Sequence, residues 1–516
     1  MSRPSLSTRD WLISHGSISA LGVLLIGLGS VGVGWLPPLY DVHVNPLLEA
    51  LRLTDQGQLI GRIAVILGGA LLVHSWLVLG LAVLRDFTVT VSQLWALLAV
   101  RISVLMFVPP LFSRDVYSYI AQGRLMVLGL DPYETGVGAL PGWFQLGPDP
   151  MWAESPTPYG PLFLLIQHGI AAITMTSPTW AVILFKLTCV AGIALMATAV
   201  AQLATAHGID AASATWLTVL NPLVVMHLFA GVHNDALMIG FLLWSFVFAA
   251  DRRTLLALFA LAFAIATKPI ALLALPFVVL ALQPKLTSHV RLWAAWIGAA
   301  IAEVLILSGL GALNGVGFGW IGALSTPASV ATLLSPPTAL AELFGLFTNR
   351  FGIDSYPYVL PVLRTLGLAI ALGIIVWLAL RPRGRSALRS AGLAFTAVVA
   401  LSPVVQPWYL LWALPLVACS GLLRAWHLRA IVAGSAAFVM YSLSEVNVVT
   451  DSTIDISDYL SVGLSAAIVL IIAVASPSER ALVWGTQFAN GLAPQTPEQK
   501  LRAAEQVVQG GAHVSS

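Results

Sequence analysis

Charge is what this chain has least of. Of its 516 residues only 9% are Asp, Glu, Lys or Arg, while 58% are hydrophobic and the mean hydropathy is +0.89. Such a balance excludes a soluble globular protein. Cysteine is nearly absent: Cys189 and Cys419 both lie inside apolar runs and read as core filler, not as a disulfide or metal pair. There is no H-E-x-x-H, no phosphate-binding P-loop, no G-x-S-x-G and no glycine-rich dinucleotide motif, which sets soluble nucleotide-driven chemistry aside. No internal repeat is evident, and this weighs against an inverted-repeat transporter. The residues through Asp10 are polar without a cleavable signal, so the first span is expected to stay in place. A net charge of +2 says nothing of partners by itself, and no nucleic-acid partner is expected.

What remains is hydrophobic length. Apolar runs recur from Ser17–Leu36 to Tyr459–Ala475, each crossing needs about 20 residues, and several runs are short enough to be half-spans. The expectation is an all-α polytopic membrane protein of 13–14 transmembrane helices. A short cytoplasmic N-terminus (1–16) precedes the membrane domain (17–476), and a polar cytoplasmic tail (477–516) follows it. Three basic clusters set the orientation: Arg252 with Arg253, Arg381 with Arg383 and Arg385, and Arg424 with Arg429. All fall on one side, the cytoplasmic one, when Gly160–Thr176 is interfacial or re-entrant. The loops Pro37–Leu59, Ser113–Pro178, Gly311–Tyr358 and Glu445–Asp458 then face outward.

Scarce ionisable groups make their positions informative. The outward loop opens S-R-D-V-Y-S-Y-I-A-Q-G-R at Ser113 and closes S-P-T-P-Y-G-P-L-F at Ser155–Phe163. Asp115, flanked by Arg114, Tyr117 and Arg124, suits a reaction centre at a membrane surface. It could also cap a helix or pair with either arginine. Asp131 and Glu154 in the same loop are reserves for the base. Lys268 lies in A-I-A-T-K-P between two apolar stretches, where an unpaired ammonium costs about 2.5–3.5 kcal/mol or more. Pro269 breaks the helix there, so Lys268 can reach a polar cavity and suits an anion such as a lipid phosphate; a snorkelling lysine is the plainer reading. Arg114, Arg124, Lys186, Arg350 and Arg364 are the other basic groups of the outer half.

His233, Asn234 and Asp235 close the stretch N-P-L-V-V-M-H-L-F-A-G-V-H-N-D and suit sugar hydroxyls or phosphate, or the start of the next helix. Trp408 and Tyr409 either stack on a sugar or belong to an aromatic belt. His227 reads as a core histidine. Asp451, Asp455 and Asp458 read as a solvated loop more than a cation site.

The motifs D-V-Y-S-Y-x-A-Q-G-R, G-L-D-P-Y, T-P-Y-G-P-L, N-P-L-V-V-M-H-L-F-A-G-V-H-N-D-A-L and A-T-K-P resemble the polyprenyl-phosphomannose-dependent α-(1→6)-mannosyltransferases of mycobacteria and corynebacteria, of the GT-C superfamily. The likeness runs over Leu94–Leu282 and more loosely to about Ala475, and is nearer the branch called mannosyltransferase B. It implies a GT-C fold and transfer of mannose from a lipid phosphate to a growing α-(1→6)-mannan on a glycolipid anchor of the lipomannan or lipoarabinomannan kind. The reaction would take place outside the cytoplasmic membrane. It also implies a catalytic carboxylate in the first large outward loop, matched here by Asp115. Two spans precede that loop here, whereas many relatives have one.

On this reading Asp115 takes the acceptor proton, and Lys268, assisted by Lys186 or Arg124, stabilises the departing phosphate. Tyr117, Tyr159, His233, Asn234, Asp235, Trp408 and Tyr409 meet sugar or acceptor. No metal or other cofactor is expected, since no paired-carboxylate signature accompanies Asp115; the partners are membrane lipids, the lipid-linked donor and the mannan acceptor. A transferase for another polyprenyl-phosphate sugar and a lipid-linked-sugar flippase are the competing readings.

Overall fold

The computed structural model describes residues 8–446, apart from 87–88, 176, 285–287, 330–331, 333, 383 and 423, together with Leu492. The expected final span Tyr459–Ala475, the 477–516 tail apart from Leu492, and the acidic string Asp451, Asp455 and Asp458 lie outside the described residues.

Helices form where the sequence places their caps. Thr90 and Gln93 make a capping box at the start of Val91–Leu105, and Ser177, Asp210 and Ser386 each accept a backbone N–H at the next helices' first turns. Proline occupies the opening turn of Pro161–Thr174, Pro178–Ala206 and Pro336–Asn349, where its missing N–H costs nothing. Among the described residues every regular element is helical. This is the all-α, polytopic membrane fold that the composition predicts.

Among the described residues, five helices are long and apolar enough to span a bilayer: Gly16–Val33, Asp55–Leu84, Pro178–Ala206, His289–Asn314 and Tyr356–Leu380. A sixth arises if Val224–Ala230 and Asp235–Ala250, bent by 111°, are one broken span, and six further apolar helices there have only 10–17 residues, as expected of half-spans. Proline breaks the longer apolar runs. The run Ala214–Gly231, expected as one span, stops at Thr218, turns at Asn221-Pro222 and resumes as a π-helix over Val224–Ala230. Lys268-Pro269 likewise divides Thr254–Thr267 from Leu275–Leu282.

The centre of the bundle is tightly packed. Thr8–Val33 and Asp55–Asp86 approach closely at Gly22 and Gly68 and at Gly29 and Gly61, where a Cβ would meet the facing backbone. Trp76 and Trp216 stack at 5.3 Å, and each indole donates to the other's carbonyl, at 3.0 and 2.7 Å. By contrast His289–Asn314 and Tyr356–Leu380 keep most of their apolar surface outside, as lipid-facing helices do.

Chain direction sorts the bundle into two ends. Asp235–Ala250 starts beside Asp115 and ends at Arg252; Thr254–Thr267 returns and ends at Lys268. Ala387–Leu401 and Leu410–Cys419 meet this end through the Pro403–Trp408 turn, which leaves Arg385 and Arg389 at the other. The segments around Pro37, Gly147 and Gly319 converge on the Asp115 end, where Leu39 N–H donates to Gln145 and Gly319 packs on Tyr133. The loops around Pro37, Gly147 and Gly319 and the basic residues Arg252, Arg253, Arg381 and Arg385 therefore lie at opposite ends. Pro161–Thr174, at 14 residues about 21 Å long, stands beside Asp115–Val127 and is shorter than a bilayer core.

Candidate active site

Asp115 is the first residue of Asp115–Val127. Its backbone N–H is held by Ser113 Oγ at 3.1 Å, and about a quarter of its side chain stays open. Neither arginine of its motif pairs with it. Arg114 donates to Asp149 at 2.9 and 3.0 Å and lies over the Trp35 ring, while Arg124 caps the neighbouring helix at the Met175 carbonyl. The group facing Asp115 is His233, with Nδ1 3.4 Å from Oδ2. Burial pushes the Asp115 carboxyl upward, but the His233 imidazole, the Lys268 ammonium and the Ser113 hydroxyl outweigh it and hold the carboxyl below its ordinary value.

The stretch that carries His233 is strained. Phe112 and Val232 both adopt left-handed φ, 66° and 56°, which a bulky or β-branched residue rarely does. Leu111 N–H donates to the Ala230 carbonyl at 2.9 Å and ties the two strained segments together. Strain of about 1–3 kcal/mol at each persists only where surrounding packing over-determines it, and such positions gather at functional sites.

Aromatic rings wall the site. Trp408 stacks on His233 at 3.7 Å, and Tyr409 stacks on Trp412 at 3.8 Å. Trp408 is buried within the site and does not stand in an interfacial belt. Lys268 and Asp235 form a paired centre beside them: Nζ donates to both carboxylate oxygens at 2.8 and 2.9 Å, Trp412 Nε1 adds a bond of 2.6 Å, and Asp235 has no exposed surface. The Lys268 ammonium lies over the Tyr409 and Trp412 rings. Tyr119 and Tyr159 close another wall, ring to ring at 5.3 Å; burial and then nearby charge raise both hydroxyls, so they stay protonated as donors. A narrow apolar cleft between Phe163, Phe185 and Leu237 leads to His233 and Asn234. Buried polar atoms without a hydrogen-bond partner among the described residues cluster here: Tyr119 Oη, both ring nitrogens of His233, both amide atoms of Asn234 and Trp408 Nε1.

Of the residues singled out in the sequence, Asp115, His233, Asn234, Asp235, Lys268, Trp408, Tyr409 and Tyr159 come together. Three do not. Lys186 is buried and donates to the Leu105 and Val108 carbonyls at 2.6 and 2.7 Å, so it closes a helix end. Arg124 lies two and a half turns beyond Asp115, on the opposite face. Tyr117 turns away to donate to the Trp35 carbonyl at 2.8 Å. Of the reserves, Asp131 accepts from Tyr133 N–H within its own turn and Glu154 is exposed. Among the described residues no three His, Cys, Asp or Glu side chains converge as a metal site.

Sequence reasoning missed Tyr119 and Trp412. Each was findable at i+4, from Asp115 and from Trp408, the spacing that puts two side chains on one helix face. His227, read as core, is buried and bonded to Ser442 Oγ at 2.6 Å, but its ring also lies 5.3 Å from Trp408, directly behind the site.

A carboxylate beside an imidazole, walled by tryptophan and tyrosine inside a membrane bundle, is suited to a membrane-embedded glycosyltransferase, and the comparisons with known proteins place it in that class. A family model described as alpha-(1->6)-mannopyranosyltransferase, N-terminal domain, matches residues 17–284, and one described as MptB C-terminal domain matches 337–476. The chain is 36% identical over 436 residues to a probable alpha-(1->6)-mannopyranosyltransferase of Mycolicibacterium smegmatis, covering 77% of each chain. It is 32% identical to alpha-(1->6)-mannopyranosyltransferase A of Mycobacterium tuberculosis (81% of this chain, 82% of the relative). It is 28% identical to the B enzyme of Corynebacterium glutamicum (88% and 80%). No solved structure matches. The chain belongs to the alpha-(1->6)-mannopyranosyltransferase family and is a glycosyltransferase. The first family model covers Asp115, His233, Asp235 and Lys268, and the second covers Trp408, Tyr409 and Trp412.

Proposed function

We propose that this enzyme transfers mannose from a polyprenyl-phosphate donor to the 6-hydroxyl of a growing α-(1→6)-mannan on a lipid anchor, at the outer face of the cytoplasmic membrane, as a member of the B branch. Asp115 accepts the hydroxyl proton as the acceptor oxygen attacks the anomeric carbon with inversion. The bond to phosphate breaks, and its electron pair leaves with the polyprenyl phosphate. A phosphate is a stable anion, so cations and donors suffice where a glycosidase needs a second acid. Lys268 has a third N–H beyond the two spent on Asp235 and is partly open; the Asn234 amide and the Tyr119 hydroxyl are the other donors beside Asp115 and Lys268. No divalent ion enters this scheme.

The observation that carries the reading is the convergence of a partly open, ionised Asp115 with Lys268, aromatic walls and unpartnered buried donors at the end of the bundle remote from Arg252. The test is Asp115→Asn in the purified enzyme with labelled polyprenyl-phosphate mannose and a short α-(1→6)-mannoside. A loss of about 10²–10⁴-fold is expected, and near-normal transfer would remove the carboxylate from the mechanism. Translocation of the donor without a lengthened glycan would favour the flippase reading, and transfer from a different polyprenyl-phosphate sugar would change the donor.

A further inference from the structure

We infer that His233 is the positioning partner of the Asp115 base: its Nδ1–H faces Oδ2 and fixes the carboxylate, leaving Oδ1 to take the acceptor proton. The inference rests on Asp115 being the base, as proposed above.

Four independent features aim this ring. Its Nδ1 lies 3.4 Å from Asp115 Oδ2, an ion-pair contact longer than a good hydrogen bond, and no other described group takes that nitrogen. Trp408 is stacked flat on it at 3.7 Å and 22°, so the ring cannot swing. Its backbone is fixed from both sides: Val232 holds a left-handed φ of 56°, and the His233 carbonyl takes the Cys189 thiol at 3.6 Å. Finally, a Cβ at Gly231 would meet the His227 carbonyl at 2.7 Å and then the His233 ring, at 3.0 Å from Cδ2 and 3.2 Å from Nε2, so the glycine serves both the backbone turn and the ring. A histidine serving only as core would not require strained backbone, a stacked clamp and a glycine cut-out on three sides.

The neighbours decide what its loss does. Lys268, Asp235, Tyr119, Tyr159, Tyr409, Cys189 and His227 are the ionisable groups around the pair. Of the groups that lower the Asp115 carboxyl, His233 stands ahead of Lys268 and Ser113. Removing the imidazole therefore raises the Asp115 pKa. Because the base must be ionised, activity is then lost at a higher pH on the acid side.

The experiment compares His233→Asn, His233→Gln and Asp115→Asn in the full-length enzyme, with labelled polyprenyl-phosphate mannose and a short α-(1→6)-mannoside, over the acid range. The Asn amide nitrogen overlays Nδ1, whereas that of Gln overlays Nε2. Expected are a loss of tenfold or more in kcat/KM for His233→Gln, substantial recovery in His233→Asn, and an acid limb displaced upward by about one unit in the Gln variant. Equal losses in both variants with an unmoved acid limb, while Asp115→Asn is inactive, would overturn the pairing and leave Asp115 as the base. Activity in Asp115→Asn would instead remove the reading beneath it. Thermal unfolding in detergent identifies variants that merely fail to fold; for those, Trp408→Leu, which removes the stacked clamp, replaces the test, and it must lower kcat/KM and shift the same limb or the pairing fails.

Discussion

Asp235 carries a charge into the bundle with no exposed surface, and it is tolerable there only because Lys268 supplies two donors and Trp412 a third. Removing one member strands the other: Asp235→Asn or Lys268→Met is expected to cost about 3–5 kcal/mol, while the double variant loses less than the sum. Unfolding of the single and double variants in detergent measures that coupling; additive losses would show the pair to be energetically independent. At this scale the sequence was informative about depth and poor about partners. Lys268 and Asp115 stood out because charge is scarce. Lys186 and Arg124 were expected to assist Lys268, and their spatial neighbours, helix-end carbonyls in both cases, set them apart from it. Tyr117 was chosen over Tyr119 by proximity along the chain, although two residues on a helix turn a side chain to another face.

Helix His289–Asn314 shows how an element can carry an unexplained cost. Most of it faces lipid, yet Glu303 is 2% exposed and neither carboxylate oxygen has a partner among the described residues. An unsatisfied buried polar group costs about 1–3 kcal/mol, so Glu303→Met is expected to raise the unfolding temperature with transfer unchanged; a lower temperature would reveal a hidden partner. Element boundaries were legible where caps and prolines mark them, as at Pro161 and Pro178. The break at Lys268-Pro269 was legible in the same way, whereas the one at Asn221-Pro222, inside the run Ala214–Gly231, was not read from hydropathy.

For the whole molecule, the separation of basic clusters from the reaction end is the feature that charge patterning foresaw. It can be tested with little background, because Cys189 and Cys419 are both buried. Cysteine placed at the exposed position 154 should react with an impermeant maleimide on intact spheroplasts, and cysteine at the exposed position 253 only after lysis. The reverse order would invert the topology, and labelling of both before lysis would put the two positions on one side and overturn the separation. What no sequence pattern disclosed was how distant stretches interlock: Trp408 reaches across 175 positions to lie flat on His233.

That clasp has a consequence for ancestry and engineering alike. Because the imidazole comes from one family-model region and the indole from the other, neither part owns a complete reaction chamber. Exchanging residues 337–476 with those of a cousin should yield hybrids that insert and fold normally yet stay idle whenever the incoming indole fails to seat. Divergence on one side must be answered on the other, and the two parts are bound to evolve as one.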